Sequence, residues 1–374
     1  MPSVRIHINT EAGGSYTGVP ATGASLAYHK RLPGYAATPL HSLPVTARRL
    51  GIGNLLVKDE SQRLGLPAFK ILGASYAVFR LVCRFLGQPS GTDLATLKKL
   101  LRSRPPVTLI TASDGNHGRA VARAARWWGM GAHIFMPAGT VPARVQAIAD
   151  EGALVEVISG PYDQAVSRAA LEQGPLRWLV QDTAWPGYEQ VPAWIVAGYE
   201  TLCLELKEQL QHQVPDIVVV QIGVGSLAQA VCRFFRHYLP DCMLVGVEPV
   251  SAACGLASLA AGASIPVDTA RPTIMAGLQC GTLSSLAWPV LHQAMHAAIA
   301  CGDAYAEQAV KLLHREGLDV GESGAAGVAA VLALRDEPAS AGNLPLERHS
   351  RVLCLATEGP TDPRLHQRLL YGTP

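Results

Sequence analysis

The chain has 374 residues, of which 49% are hydrophobic and 16% charged, and its formal net charge is +2 at pH 7. The length fits two domains, and the balanced charge gives no support to nucleic acid as a partner. No apolar run reaches the roughly 18 residues of a membrane span, and the first thirty residues lack the apolar stretch of a signal peptide. The eight cysteines form no C-x-x-C pair. We therefore predict a cytoplasmic protein with reduced thiols and no membrane contact.

Short apolar strands alternate with helical patterns along the chain. The pattern predicts helices over AFKILGASYAVFRLVCRFL, from about Asn116 to Trp128, from about Val141, over DQAVSRAALEQ and from about Glu189. It predicts strands at residues 54–60, 107–113, 132–137, 154–159, 178–182, 216–223, 243–250, 296–302 and 351–359. Near-continuous apolar strands alternating with helices indicate parallel sheets covered on both faces. The strands are too many for one compact sheet, which favours two αβα domains with a ligand crevice between them.

The segment at residues 218–231, VVVQIGVGSLAQAV, predicts a strand, a glycine-rich turn and a helix. Gly223 and Gly225 allow a ligand to approach the backbone closely, and Ser226 adds a hydroxyl. The letters GVGSLA also fit the dinucleotide pattern, with Glu248 placed as a ribose-binding acid at the end of the next strand. A dinucleotide, another phosphate, and a tight turn that serves packing therefore all remain open.

A second strand, turn and helix is predicted in ITASDGNHGRAV, residues 110–121. Gly115 and Gly118 flank Asn116 and His117 at the start of the helix. Backbone amides at this point suit a carboxylate, and the Asn116 side-chain amide suits a phenolate-type oxygen. The alternative is an acid or amide that caps the helix beside a histidine satisfied in the core.

Two single residues are ambiguous when taken alone. Thr357, in LCLATEGPTDP, either donates a hydrogen bond into a crevice or caps the end of a strand. Lys70 lies in the apolar run LGLPAFKILGASYAVFR with no acid nearby in sequence, so it is either solvated or a buried amine with a task. An apolar setting is expected to lower the pKa of Lys70 and leave a nucleophilic amine.

Together these segments resemble the pyridoxal phosphate enzymes of fold type II, the tryptophan synthase β-like group. The resemblance spans roughly residues 40–365 in family order and is strongest to the diaminopropionate ammonia-lyases. It is carried by KDESQRLGLPAFKILGASYA, TASDGNHGRAVA, QDTAWPGYEQVP, QIGVGSLA, TIMAGLQCG, GESGAAGVAA and ATEGPTDP. The resemblance implies pyridoxal 5'-phosphate as cofactor, a homodimer, a large cofactor-binding domain of residues 1–77 plus 200–374, and a small domain of residues 78–199.

The same resemblance assigns roles to individual residues. Lys70 is similar to the lysine that holds the cofactor as a Schiff base, with Phe69 packed against the ring or its pocket wall. Asn116 would contact the ring hydroxyl, and Thr357 would face the pyridine nitrogen. The phosphate cradle would consist of Gly223, Val224, Gly225, Ser226 and Leu227. Substrate would contact Ser113, Asp114, Gly115, His117 and Asp182.

The carboxylates of Asp114 and Asp182 resemble the acidic pair of the diaminopropionate ammonia-lyases. A substrate with a β-ammonium group brings an extra positive charge into a desolvated site, and anionic partners offset that penalty. We therefore expect elimination of ammonia to give aminoacrylate, then pyruvate and a second ammonia. Lys70 and Asp114 would remove the Cα proton from opposite enantiomers, which would explain use of both. The alternative for each acid is a helix cap.

Three positions depart from the family pattern: Pro67, Gln229 and Pro360. They leave open β-elimination or β-replacement on serine, threonine or a related amino acid. A nicotinamide oxidoreductase and a non-catalytic binding protein are further alternatives, although neither gives all the segments a task. VEPVSAACG and GESGAAG hold oxygen ligands without a clear cluster, so no metal is predicted.

Overall fold

The computed structural model describes residues 4–13, 16–211, 213–337, 344 and 346–372. They form two compact units: unit 1 within residues 1–22, 37–68 and 202–374, and unit 2 within residues 23–36 and 69–201. Residues 23–36, 69–77 and 200–201, assigned from the family resemblance to the larger domain, fall in unit 2. Residues 70–77 do so because they belong to one continuous helix, Lys70–Leu86. The crevice expected between the domains stays a prediction.

Unit 1 contains a seven-stranded sheet with the strand order β1-β10-β9-β8-β11-β3-β2. Its strands are β1 (Val4–Ile8), β2 (Leu40–Ser42), β3 (Asn54–Asp59), β8 (Ile217–Gln221), β9 (Met243–Pro249), β10 (Ala297–Cys301) and β11 (Arg351–Ala356). Its helices are α2 (Pro44–Leu50), α9 (Ser226–Tyr238), α10 (Cys254–Ala261), α11 (Trp288–Ala294), α12 (Asp303–Arg315), α13 (Ala326–Asp336) and α14 (Pro363–Tyr371), with a short 3-10 helix at Ala276–Leu278. The inner strands pair in parallel, and only the edge strands β1 and β2 are antiparallel.

Unit 2 contains a parallel four-stranded sheet with the order β6-β5-β4-β7. Its strands are β4 (Thr108–Ala112), β5 (Gly131–Met136), β6 (Leu154–Val157) and β7 (Arg177–Leu179). Its helices are α1 (Ala24–His29), α3 (Lys70–Leu86), α4 (Leu94–Arg102), α5 (Asn116–Trp128), α6 (Pro142–Ala149), α7 (Tyr162–Leu171) and the first part of α8 (Gln190–Leu210). The predicted two-sheet α/β architecture is confirmed, as is each of the nine predicted strands.

Both faces of the central strand β8 are buried. Ile217 and Val219 belong to one hydrophobic core with residues of α2, α12 and α13, whereas Val218 and Val220 point to the other face because side chains alternate along a strand. This burial explains the unbroken apolar run in the sequence. No helix in the described part of the chain is long and apolar enough to span a bilayer. All eight cysteines are free.

A buried ion network fixes the loop that leads toward α3. The Arg63 guanidinium donates to both carboxylate oxygens of Glu60, and its two terminal nitrogens lie 2.8 Å from the two oxygens of Glu205. Lys58 Nζ donates to Glu205 at 2.7 Å. None of these side chains is more than 3% exposed. The network holds residues 60–66 directly before the helix that begins at Lys70.

We expect Arg63→Met to lower the free energy of unfolding by about 3–5 kcal/mol, because it leaves two buried carboxylates with too few cations. Urea denaturation followed by circular dichroism measures this change. Arg348→Met, at an exposed arginine, is the control and should change the free energy of unfolding by less than about 0.5 kcal/mol. A loss below about 1 kcal/mol for Arg63→Met would mean that the network adds little stability.

Candidate active site

Lys70 is the first residue of α3, and its side chain is 22% exposed. Its Nζ donates a hydrogen bond of 2.5 Å to Oδ2 of Asp182, a carboxylate whose side chain is only 4% exposed. The Phe69 ring lies 5.8 Å from the same nitrogen, at cation–π distance. The structure therefore brings together two predicted catalytic residues that are 112 positions apart in sequence.

The expectation that an apolar setting lowers the pKa of Lys70 is wrong for this arrangement. Burial acts in that direction, but the charge and the hydrogen bond of Asp182 raise the pKa above its usual range, aided by Asp114. The amine therefore carries a proton while it is paired with Asp182. It becomes nucleophilic when this ion pair is broken or neutralised.

The loop after β4 is organised by Ser113. Its Oγ accepts the backbone N–H groups of Gly115 at 2.9 Å and Gly118 at 2.8 Å, so this predicted substrate contact also shapes the loop. Gly115 has φ +155°, and a Cβ placed on it would lie 3.1 Å from Cδ of Arg144. This backbone conformation favours glycine and places Asn116 at the first position of α5.

His117 and Asp182 lie beside each other. Nε2 of His117 lies 2.7 Å from the carbonyl oxygen of Val180, so in the neutral ring this nitrogen carries the hydrogen. Nδ1 then presents a lone pair 3.8 Å from Oδ2 of Asp182. Burial lowers the pKa of His117, although the carboxylate opposes this effect. Burial would raise the pKa of Asp182, but the charge and the hydrogen bond of the Lys70 ammonium oppose this effect and hold the pKa low, at about 2.

Asp114 is half-buried, and burial raises the pKa of its carboxyl group against the opposing charges of Arg144 and Lys70. The N-cap of α5 is Gly115, with no side-chain cap, so Asp114 does not cap that helix. Asp182 does not cap α8, which begins only at Gln190. The two carboxylates thus differ: Asp182 is held ionised, and Asp114 accepts a proton more readily.

Sequence reasoning missed the residues that support Asp182. Gln181 is fully buried, and its Oε1 accepts hydrogen bonds from Thr111 Oγ1 and from the backbone N–H of Ala112, both at 2.9 Å. The Tyr188 hydroxyl accepts the backbone N–H of Gln181 at 2.8 Å and donates to the carbonyl of Leu179 at 2.9 Å. These contacts join the end of β4 to the segment that carries Asp182.

The first turn of α3 packs against α8 through two glycines that also escaped prediction. A Cβ on Gly73 would lie 2.5 Å from Cε1 of Tyr199, and one on Gly198 would lie 2.5 Å from the carbonyl oxygen of Leu72. His29 contacts the same turn, with Nε2 3.0 Å from the Leu72 oxygen. The only sequence signal was a pair of glycines inside helical patterns, which often marks close helix packing.

In unit 1, the predicted phosphate cradle is a turn that enters a helix. Gly225 is the N-cap of α9 at φ +90°, and Ser226 is the first helical residue. A Cβ on Gly225 would lie 2.8 Å from the Ala287 side chain. The Val224 carbonyl accepts the N–H of Ser284 at 2.8 Å, which fixes the turn, and Leu227 is buried. A Cβ on Gly223 would make van der Waals contact with Sγ of Cys280 and with the carbonyl oxygen of Gly277, both at 3.4 Å.

Thr357 follows β11 directly and is 5% exposed. The next residues of its loop are anchored in unit 1. Glu358 forms an isolated bridge with Ala68, and the N–H of Gly359 donates to the carbonyl of Pro67 at 2.9 Å. Pro67, one of the departures from the family pattern, therefore retains a structural task through its carbonyl.

Glu248 serves as an internal helix cap. It is fully buried, and its two oxygens accept the N–H groups of Gly255 at 2.7 Å and Leu256 at 2.8 Å in the first turn of α10. A carboxylate engaged in this way does not bind a ribose, which removes the acid that the dinucleotide alternative required.

Burial raises the pKa of Glu248 to about 7, against the lowering effect of its two backbone hydrogen bonds. The pKa of this group in the unfolded chain is near 4.5, so between pH 4.5 and pH 7 Glu248 binds a proton in the folded chain but not in the unfolded chain. Stability from this group is therefore full below pH 4.5 and is lost as the pH rises through 7, by roughly 3 kcal/mol in all. We expect urea denaturation at pH 5 and pH 8 to show a flatter dependence for Glu248→Gln. An unchanged slope would contradict a proton on Glu248.

The residues fit pyridoxal phosphate. Gly225, at positive φ and close to Ala287, admits no larger side chain, so no side chain at this position covers the start of a thirteen-residue helix, where backbone N–H groups suit a phosphate. Lys70 has a partly exposed side chain, and its amine lies next to an aromatic ring. The side-chain amide of Asn116 can donate a hydrogen bond to a ring hydroxyl oxygen, and the hydroxyl of Thr357 can donate one to a pyridine nitrogen.

Comparison with known proteins gives a consistent result. The family model described as pyridoxal-phosphate dependent enzyme matches residues 31–358. The diaminopropionate ammonia-lyase of Salmonella typhimurium is 36% identical over 371 residues, covering 93% of this chain and 91% of that protein. The Escherichia coli protein of the same name is 36% identical, covering 92% and 89%. The crystal structure of the E. coli enzyme in complex with D-serine superposes with a TM-score of 0.91 at 33% identity, covering 99% of this chain and 97% of that chain.

Proposed function

Because the chain belongs to the pyridoxal-phosphate dependent enzyme family, we propose that it eliminates ammonia from 2,3-diaminopropionate. Lys70 would hold the cofactor through its amine, the Gly223–Leu227 backbone would hold the phosphate, and Asn116 and Thr357 would contact the ring. When bound, the cofactor supplies an aldehyde that captures the substrate amine and a ring that acidifies the Cα–H bond.

The observation that carries the choice of substrate is the cluster of Lys70, His117 and Asp182. Oδ2 of Asp182 and Nδ1 of neutral His117 are two acceptors 3.8 Å apart, and the donor beside them is the Lys70 ammonium. A β-ammonium group can donate to both acceptors, and the Asp182 charge offsets its desolvation. A serine hydroxyl has one proton and no charge, so it satisfies this pair poorly.

The acids then divide the proton transfers. Asp182 keeps the leaving nitrogen in the ammonium form, so that it departs as neutral ammonia with the electron pair of the Cβ–N bond. The Cα proton goes to Lys70 for one enantiomer and to Asp114 for the other. Burial suits Asp114 to this task because it raises the pKa of the carboxyl group. Aminoacrylate leaves, and water converts it to pyruvate and a second ammonia.

The visible spectrum of the purified protein, recorded with pyruvate and ammonia assayed in the same cuvette, tests this proposal. We expect a yellow band that changes when D- or L-diaminopropionate is added, with two ammonia released per pyruvate. Serine would give one ammonia per pyruvate, and a higher kcat/KM with serine would favour the dehydratase alternative. A yellow protein that binds diaminopropionate without making pyruvate would favour β-replacement. A protein that stays colourless with added cofactor would contradict the role of Lys70.

Two finer points are also proposed. We infer from the family resemblance that the enzyme acts as a homodimer, and sedimentation equilibrium will give its mass. We infer a cytoplasmic location from eight free cysteines, and cell fractionation with an antibody will test it.

A further inference from the structure

Tyr199 packs on the face of α3 that carries Lys70. A Cβ on Gly73 would lie 2.5 Å from Cε1 and 2.8 Å from Cζ of Tyr199, so the hydroxyl end of the phenol covers Gly73. Residues three apart on a helix are neighbours on one face, and Gly73 follows Lys70 by one turn. The Tyr199 ring also lies 4.8 Å from the ring of Phe69.

The hydroxyl of Tyr199 is buried without a hydrogen-bond partner among the described residues. The whole side chain is 0% exposed, and a phenylalanine would fill the same space without burying an oxygen. Buried polar groups are nearly always paired, so an isolated one needs an explanation. Burial raises the pKa of Tyr199, so the phenol stays neutral and does not act as a base.

The Lys70 ammonium is the complementary group, because it has more hydrogen-bond donors than acceptors among the described residues. It has three N–H donors, and within the described part of the chain Oδ2 of Asp182 is its hydrogen-bond acceptor. The charges of Lys70 and Asp182 both act on Tyr199, which places the three groups in one electrostatic cluster. Lys70, at the start of α3, thus has N–H donors to spare, and the Tyr199 oxygen, an acceptor, packs against the same turn.

We propose that Tyr199 is a positioning residue for Lys70, whose ammonium donates a hydrogen bond to the Tyr199 oxygen when it turns away from Asp182. The inference rests on the proposed function, in which the substrate β-ammonium competes with Lys70 for Asp182. Lys70 becomes an ammonium as it takes the Cα proton, at the moment when Asp182 is engaged elsewhere. Tyr199 then holds Lys70 on the correct side of Cα.

The first test measures the reactivity of the amine in the cofactor-free protein. The full-length chain is mixed with pyridoxal phosphate between pH 6 and 10, and the rate at which the yellow band forms is recorded. Tyr199→Phe should change this pH profile little in the native background, where Asp182 holds the ammonium. In the Asp182→Asn background, Tyr199→Phe should move the half-maximal rate to lower pH by about one unit, a tenfold change in free amine.

Tyr28→Phe is the matched control. Tyr28 is a tyrosine of the same unit that is only 1% exposed, and Lys70 and Asp182 do not act on it. It should leave the profile unchanged in both backgrounds. Equal shifts for Tyr199→Phe in both backgrounds, or no shift beside Asp182→Asn, would overturn the proposal.

The second test uses turnover. Tyr199→Phe should lower kcat about tenfold for the enantiomer that stays active in Asp114→Asn, with KM changed less than about twofold, and should spare the other enantiomer. Equal losses for both enantiomers would indicate a structural role only. If the native enzyme makes no pyruvate, the proposed function fails while the absorbance test still decides the Tyr199 contact. Should Tyr199→Phe not fold, Gly73→Ala, which displaces the ring, should reproduce both effects.

Discussion

Replacing Lys70 with alanine is expected to lower elimination turnover by about 10³-fold or more and to remove the yellow band. The residue stands at the first position of α3 with its side chain 22% exposed, so a ligand can reach it while most of the helix is packed. Its removal takes away both the covalent attachment of the cofactor and one of the two bases for the Cα proton.

The spectrum and the pyruvate assay measure this loss, and circular dichroism checks the fold. Lys311→Ala is the control, because Lys311 is a half-buried lysine paired with Glu307 on α12 and its replacement should leave both readouts unchanged. A Lys70→Ala protein that kept its band and its turnover would show that another amine holds the cofactor.

Most of the fold follows from local sequence patterns, because buried parallel strands are apolar throughout and helices between them are periodic. The edge strands β1 and β2 were not predicted. VRIHI at Val4–Ile8 mixes polar and apolar residues, and Leu40–Ser42 is only three residues long. Both strands exist because they pair with distant segments, β10 and β3 respectively. The sequence of a strand does not reveal which distant segment it pairs with.

The candidate site was likewise only partly predicted from the sequence. Lys70 was noticed as a lone lysine in an apolar run, but the roles of Lys70, Asp114 and Asp182 came from the family resemblance. The ion pair between Lys70 and Asp182 was not predicted, and it reverses the direction of the Lys70 pKa. A pKa depends on charges near in space, which a sequence does not reveal. Tyr199 was missed for the same reason, since its only signal is a distance to Gly73.

Asp182→Asn is expected to lower kcat/KM for diaminopropionate by about 10²–10³-fold while changing that for serine by less than about tenfold. Asparagine keeps the size of the side chain but loses the negative charge. With its pKa at about 2, Asp182 is ionised at every pH used for assay, so the charge is always available to a β-ammonium group. Serine brings no such charge and gains little from it.

The same substitution removes the main partner of the Lys70 ammonium, so the pKa of Lys70 should fall and the cofactor-free protein should react with pyridoxal phosphate at lower pH. Asp163→Asn, at an exposed acid in the first turn of α7, is the control and should leave both measurements unchanged. Equal losses with diaminopropionate and serine would contradict charge recognition, because a general defect lowers both alike. A selective loss together with a more reactive Lys70 requires one carboxylate to serve both ammonium groups in turn, since no separate role for Asp182 produces both effects.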